Sequence, residues 1–177
     1  VYTNYPTAEL FINGKSYGKQ SKNNSSLKSR YRLMWMDAVY EPGEVKVVAY
    51  NKDGKAVAEK TVRTAGKPHH IELVSNRNEL TADGKDLAYV TVKVVDKDGN
   101  LCPTDNRQIN FSAKGTGKYR AVANGDPTNL EQFHLPKMHA FHGMLTAIVQ
   151  AGEIAGDLVL TAKASGVKTG TVHLQAK

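Results

Sequence analysis

The stretch Leu80–Asn100, LTADGKDLAYVTVKVVDKDGN, decides the fold class of this chain. Within it, Leu87–Val95 alternates, with Val90, Val92 and Val94 on one side and Thr91 and Lys93 on the other. Turn-forming Asp-Gly pairs stand on both sides of this run, at Asp83-Gly84 and Asp98-Gly99. Period-two alternation of β-branched residues is typical of a strand with one buried face, and Gly accepts the positive φ that tight turns require. The stretch therefore predicts turn, strand and turn.

Similar runs separated by turn residues recur on both sides of this stretch. The clearest hairpin is Ala8–Lys19, where Asn13-Gly14 has the composition of a type I′ turn. Further strands are predicted at Arg30–Met36, Val45–Tyr50, Ala56–Arg63, Ile71–Leu73, Gln108–Ala113, Lys118–Ala123, Met144–Ala151, Leu158–Ala164 and Thr171–Gln175. No segment carries a sustained helical period. Strands and turns at this spacing predict an all-β fold built from sandwiches.

A break between two sets of strands predicts two domains. Thr64–Pro68 contains Gly and Pro, which together end a strand, and a fresh alternating run follows from Ile71. The 177 residues are enough for one large domain or two small ones. We therefore predict two tandem immunoglobulin-like β-sandwich domains, at residues 1–66 and 67–177.

Composition narrows the class of protein further. A hydrophobic content of 40% is adequate for packed cores, and no apolar run approaches the ~20 residues of a membrane helix. Cys102 is the single cysteine, which excludes an intrachain disulfide and a Cys-rich zinc site. Because the chain begins without Met and inside an apparent strand, we expect it to be part of a longer polypeptide. We expect no contact with a membrane.

Positive charge is concentrated in one segment of a chain whose net charge is +7. Six basic residues fall there with no acid among them: Lys15, Lys19, Lys22, Lys28, Arg30 and Arg32. One interpretation is attraction to a polyanion such as an acidic glycan or nucleic acid. The favoured interpretation is a solvated sheet edge, where lysine side chains disfavour pairing with the edge strand of another molecule. No aromatic residue lies between Lys19 and Arg30 to stack on bases, so we expect no nucleic-acid partner.

Aromatic residues are the candidate binding residues, and Trp35 allows two interpretations. Its alternation with Tyr31 and Leu33 favours a core tryptophan between two sheets. An exposed tryptophan would instead stack on a sugar ring. The candidate saccharide-binding residues are then Trp35, Tyr5, Tyr17 and Tyr119.

Residues 124–143 form a long, irregular segment with three histidines. His134, His139 and His142 are metal-ligand types, but their spacing is irregular and no acidic residue falls among them. We therefore predict no metal site. Asp126, in Asn-Gly-Asp-Pro, is more simply a turn residue whose carboxylate accepts backbone N–H bonds.

Motifs in both halves resemble the C-terminal domains of bacterial glycoside hydrolase family 2 β-galactosidases. In the first half the matching residues are Val1–Asn4, Glu9–Ser16, Trp35 and Tyr40–Lys46. In the second half they are Leu80–Asn100, Asn124–Thr128, Ala140–Gly143 and Ala147–Gln150. The second half is also similar to invasin-like immunoglobulin repeats, but those repeats lack the 124–143 segment. The resemblance therefore favours the enzyme family over an adhesin.

The resemblance implies a non-catalytic region of an enzyme that hydrolyses terminal β-galactosides with retention. In the family, two glutamates about 5 Å apart on a (β/α)₈ barrel carry out this reaction. We assign no catalytic residue here, because the one Asn-Glu pair, Asn78-Glu79, lies in a turn-rich β segment, and a barrel needs about 250 residues. The implied partners are the catalytic barrel and other domains of the parent enzyme, and a glycan is a further candidate. No cofactor is expected, and the implied location is periplasmic or secreted.

Two other functions fit the same predicted fold. A carbohydrate-binding module would hold a polysaccharide near the barrel through exposed aromatic rings or the basic segment. An adhesin-type spacer would use tandem sandwiches only to extend reach. A coplanar strip of exposed aromatic rings would favour the module, and a gene without an upstream barrel would favour the spacer.

Overall fold

A computed structural model describes residues 1–177, which divide into two compact units. Unit 1 is Val1–Thr64 and unit 2 is Ala65–Lys177. Thirteen strands and one five-residue helix make up the regular structure, so the predicted all-β class is confirmed. The structure contains no helix with the length and apolar character to cross a membrane.

Unit 1 contains one four-stranded antiparallel sheet and the short helix. Its elements are β1 (Thr7–Ile12), β2 (Lys15–Ser21), α1 (Leu27–Tyr31), β3 (Glu44–Tyr50) and β4 (Ala56–Arg63). The strand order is β2-β1-β3-β4. Between β1 and β2, Asn13 and Gly14 have φ values of 48° and 80°. Two positive φ values in succession are what a type I′ turn requires, and the predicted hairpin is confirmed.

The strand predicted at Arg30–Met36 is wrong. Helix α1 occupies its first residues, and the rest is irregular. Leu33 is buried, but its backbone bonds only with Val1, through Leu33 N–H to Val1 O (2.9 Å) and the Val1 amino group to Leu33 O (2.8 Å). A strand needs a ladder of such bonds with a neighbouring strand. Because this segment has no strand beside it, alternation alone does not make it a strand.

Unit 2 is a sandwich of two sheets. Its strands are β5 (His70–Ser75), β6 (Glu79–Leu80), β7 (Leu87–Val95), β8 (Gln108–Gly115), β9 (Gly117–Ala123), β10 (Lys137–His139), β11 (Met144–Ala151), β12 (Gly156–Lys163) and β13 (Gly170–Ala176). One sheet has the order β5-β7-β11-β9 and the other β10-β8-β12-β13-β6. All pairs are antiparallel except β6 with β13. Strand β9 is thus an edge of its sheet.

The core of unit 2 lies between these two sheets. Val90, Val92 and Val94 of β7 are all fully buried, so the predicted one-sided burial of this strand is confirmed. From the other sheet, β12 contributes Leu158 and Leu160 to the same cluster of buried side chains. Inward residues alternate with outward ones on both strands, as expected where two sheets pack face to face.

A buried carboxylate connects the start of unit 2 to the end of β7. Asp96 is only 2% exposed. Its carboxylate oxygens accept the backbone N–H groups of Gly66 (2.7 Å), Asp98 (2.9 Å) and Asn100 (2.8 Å). The same side chain therefore shapes the tight turn after β7 and holds the segment that enters the sandwich. This is the Asx-turn chemistry of a short acidic side chain.

Candidate interaction surfaces

Glu79 occupies an exposed position at the edge of a sheet. It lies in β6, and the Lys177 ammonium group forms a hydrogen-bonded ion pair with its Oε1. Such an exposed pair is a surface feature worth little to stability. That this glutamate takes no catalytic role stays a prediction.

Trp35 does not fill a sandwich core, and that prediction is wrong. The residue is half-buried, and its indole Nε1–H donates to Gly18 O of β2 (2.9 Å). The physical reason is that unit 1 has one sheet, so there is no second sheet to enclose the ring. Part of the indole face stays open, and its candidacy as a saccharide-binding residue stays a prediction.

The three candidate tyrosines have separate surroundings. Tyr5 is exposed at the margin of unit 1. Tyr17, on β2, is half-buried, and the Lys15 ammonium lies 5.6 Å from its ring centroid. Tyr119 belongs to unit 2, on strand β9. Saccharide binding by these residues stays a prediction for each of them.

Much of the basic segment is engaged within unit 1. The Lys19 ammonium lies 3.9 Å from the Tyr50 ring centroid, and the Arg30 guanidinium lies 5.8 Å from that of Tyr31. Lys22 Nζ donates to Thr3 O. Attraction to an aromatic face or a carbonyl oxygen holds each of these cations at a fixed place on unit 1. These contacts favour the interpretation of a structural sheet edge over that of a free polyanion site.

The histidines of residues 124–143 have separate partners. His139 Nδ1 lies 3.1 Å from Glu131 Oε1, and His142 Nδ1 lies 3.4 Å from Pro103 O. No group of three His, Cys, Asp or Glu side chains in the structure is arranged to hold a metal ion. Asp126 Oδ1 accepts the backbone N–H and the hydroxyl of Thr128, both at 2.8 Å, so its predicted role in a turn is confirmed.

Exposed apolar side chains are concentrated in one segment of unit 1, residues 27–40, and we call this set the 27–40 surface. It consists of the exposed side chains of Leu27, Tyr31, Met34, Met36, Val39 and Tyr40. Unit 1 buries only five apolar residues of its own, which are Ala8, Leu10, Ile12, Leu33 and Ala49. Leaving apolar area in water costs about 25 cal/mol per Å². A concentration of exposed apolar side chains of this size marks a contact surface.

A second candidate is a pocket beside the edge strand β9 of unit 2, which we call the loop pocket. It has a volume of about 550 Å³ and is lined by Arg120, Ala121, Leu130, Glu131, Gln132, Phe133 and His134. Strand β9 supplies one wall, and the loop of residues 124–136, which leads to β10, supplies the other. Irregular loops longer than about 12 residues are uncommon and often functional.

Tyr119 anchors this loop to the sandwich. Its hydroxyl group donates to Leu135 O (2.6 Å), and its ring stacks on Phe111 with centroids 6.0 Å apart. Burial raises the pKa of Tyr119 to about 12, because the phenolate form would lose its hydration. Val122 N–H also donates to Phe133 O (2.8 Å). The loop is therefore fixed to β9 and its neighbours at several points.

Neither surface was predicted from the sequence. Two signals were present: a segment 27–40 rich in large apolar residues outside any paired strand, and the apolar residues Leu130 and Phe133 in an otherwise polar loop. Which of these side chains are exposed depends on tertiary contacts, which spacing along the chain does not report. Arg120 gave no signal, because an outward-facing arginine on an edge strand is ordinary.

Models of known families match almost the whole chain. The family model described as glycoside hydrolase family 2 C-terminal domain 5 matches residues 71–173. A second model, described as a domain of unknown function, matches residues 1–58.

Individual relatives and a solved structure agree with these matches. A β-galactosidase of Bacteroides ovatus is 41% identical over 99% of this chain, and one of Thermoanaerobacter pseudethanolicus is 31% identical over 92% of it. A glycosyl hydrolase family 2 member from Bacteroides cellulosilyticus superposes with a TM-score of 0.86 at 32% identity, over 99% of this chain and 22% of its own. The chain spans only 20% and 22% of the lengths of the two curated relatives.

Proposed function

Because this chain belongs to the C-terminal region of glycoside hydrolase family 2, we propose that it is a non-catalytic accessory region of a β-galactosidase. The parent enzyme hydrolyses terminal β-galactosides, and its catalytic glutamates lie on a barrel outside this chain. The accessory region docks on the barrel or its rim. The relatives named β-galactosidase support this substrate class, and a periplasmic or secreted location rests on the resemblance alone.

The 27–40 surface is the observation that carries this proposal. Unit 1 has a small buried core and a cluster of exposed methionine, tyrosine and aliphatic side chains. Relatives about five times as long supply other domains that such a surface can contact. Interfaces between domains of one chain bury about 600–1,500 Å². Six large apolar side chains on one segment supply the apolar centre of such an interface.

The chain alone should hydrolyse no β-galactoside. It offers one exposed glutamate in an Asn-Glu pair, Glu79, and that residue is paired with Lys177. We expect no turnover of a chromogenic β-galactoside by residues 1–177, and no difference between this chain and its Glu79→Gln variant. Turnover that disappears in Glu79→Gln would overturn the non-catalytic assignment.

Docking through the 27–40 surface predicts a substitution that matters only in the parent enzyme. Met36 is 86% exposed, so Met36→Asp should change the unfolding free energy of the isolated chain by less than about 0.5 kcal/mol. In the parent, burial of an unpaired carboxylate should lower the unfolding free energy by about 3 kcal/mol. Urea unfolding of both proteins, with and without the substitution, measures the difference.

Asn24→Asp provides the matched control for this experiment. It introduces the same charge at an exposed loop position of unit 1, outside the 27–40 surface. We expect it to be silent in both proteins. If Met36→Asp is also silent in the parent, the surface is not a docking face and the proposed accessory role loses its support.

A further inference from the structure

We propose that the loop pocket of unit 2 is a saccharide-binding site that stacks a pyranose ring on Phe133. This goes beyond the accessory role, because it gives unit 2 a ligand of its own. The loop pocket is an open depression on the surface of unit 2, with a volume of about 550 Å³.

The apolar part of the pocket is an exposed aromatic ring beside an aliphatic side chain. Phe133 is 57% exposed and Leu130 is 96% exposed, although both belong to a loop that is held firmly in place. A monomer gains nothing from presenting these side chains to water. The face of a phenyl ring is a suitable platform for the C–H face of a pyranose.

The polar part of the pocket consists of side chains with unused hydrogen-bonding capacity. Arg120, Gln132 and His134 line the pocket, and none of them makes a side-chain hydrogen bond within the chain. A guanidinium, an amide and an imidazole offer donors and acceptors in fixed planar arrangements. Adjacent hydroxyl groups of a sugar match such planar groups. The fourth polar residue, Glu131, is already engaged by His139.

The loop is organised before any ligand arrives. Tyr119 O–H donates to Leu135 O (2.6 Å), Val122 N–H donates to Phe133 O (2.8 Å), and Glu131 N–H donates to Asn129 Oδ1 (3.0 Å). A site that is already ordered loses little entropy on binding. None of these bonds uses the Phe133 ring, and the one that reaches Phe133 ends on its carbonyl oxygen, so the ring can be removed without releasing the loop.

This balance of groups favours a saccharide over a protein partner. The Phe133 ring and the polar groups of Arg120, Gln132 and His134 line the same small pocket, so a single ligand of the size of a sugar can contact both kinds of group. The side chains left free are hydrogen-bonding groups of the kind that hydroxyl-rich ligands need.

Amide NMR titration of residues 1–177 tests this proposal. The probes are lactose, cellobiose and maltose, with sorbitol as an acyclic polyol that has no ring to stack. We expect saturable shifts confined to residues 118–123 and 128–135 with at least one disaccharide, and none with sorbitol. Absence of saturable shifts at millimolar concentrations of all three disaccharides, or equal shifts with sorbitol, would overturn the proposal.

Two variants identify the ring that binds. Phe133→Ala should weaken binding about tenfold, which is about 1.4 kcal/mol, because the ring on which the sugar stacks is removed. Tyr89→Ala removes another exposed ring of unit 2, on β7, and should leave the affinity unchanged. Unchanged resonances elsewhere in both spectra show that each variant is folded. Equal affinities of the two folded variants would exclude Phe133 as the stacking residue and overturn the assignment.

Discussion

Asp96→Ala should lower the melting temperature of unit 2 by about 10 °C. The carboxylate is 2% exposed and accepts the N–H groups of Gly66, Asp98 and Asn100. Truncation removes the acceptor of all three donors at once, and unmet donors in a poorly hydrated site are costly. The turn after β7 and the entry into the sandwich should loosen together. Circular dichroism melting curves measure the shift.

Asp96→Asn is the control that separates shape from charge. Hydrogen bonds hold the pKa of Asp96 well below its usual range. The largest contribution comes from Gly66 N–H and the next from the Asn100 side chain. An unfolded aspartate takes up its proton near pH 3.9, whereas the folded one stays ionised to lower pH. The stabilisation is therefore complete above about pH 4 and is lost as the pH falls through the folded pKa.

The acid dependence of unfolding then distinguishes the two proteins. Between about pH 4 and pH 2, the unfolding free energy of the unsubstituted chain should fall more steeply than that of Asp96→Asn. The two slopes against pH should differ by the uptake of up to one proton on unfolding. Denaturant titrations at several pH values give both slopes. Identical slopes would mean that Asp96 does not hold its charge more strongly in the folded state.

The strands of unit 2 were predictable because their signals are local. The alternation of β7 shows which side chains face the core, and Val90, Val92 and Val94 are all fully buried. The predicted strands Leu87–Val95 and Met144–Ala151 coincide with β7 and β11. Period-two patterning and turn residues act within a few positions of the chain, so they can be recognised without knowledge of the fold.

Two segments could not be predicted from local alternation, because their structure depends on whether another strand lies beside them. Tyr31, Leu33 and Trp35 alternate as a strand would, yet the structure places them in a helix end and an irregular segment. Conversely, β10 has three residues and no readable period, and it exists because it pairs with β8. Strand formation depends on a neighbour, and the neighbour is a property of the whole fold.

The two candidate surfaces depend on the same non-local information. Phe133 is an ordinary apolar residue in the sequence, and it lines a pocket because Tyr119 and Val122 hold its loop against β9. Met36 is likewise an ordinary apolar residue in the sequence, and its side chain is 86% exposed in the structure. Sequence patterning indicates which residues are apolar, but only packing determines which of them remain uncovered.

Leu160→Ala should lower the unfolding free energy of unit 2 by about 2–5 kcal/mol. Leu160 is 0% exposed and lies on β12, the middle strand of its five-stranded sheet, where it pairs with Val172 and Ala113. Close-packed neighbours on both sides limit collapse around the cavity left by the truncation. Urea unfolding followed by circular dichroism measures the loss.

Leu130→Ala removes the same atoms from a leucine that is 96% exposed in the same unit. The unfolding free energy of Leu130→Ala should stay within about 0.5 kcal/mol of that of the unsubstituted chain. The difference between the two variants therefore isolates burial, because chemistry, residue type and unit are shared. Equal effects would mean that the space between the sheets is not the stabilising core. A large difference would locate the stability of unit 2 in this sandwich and leave Leu130 free for contact with a ligand.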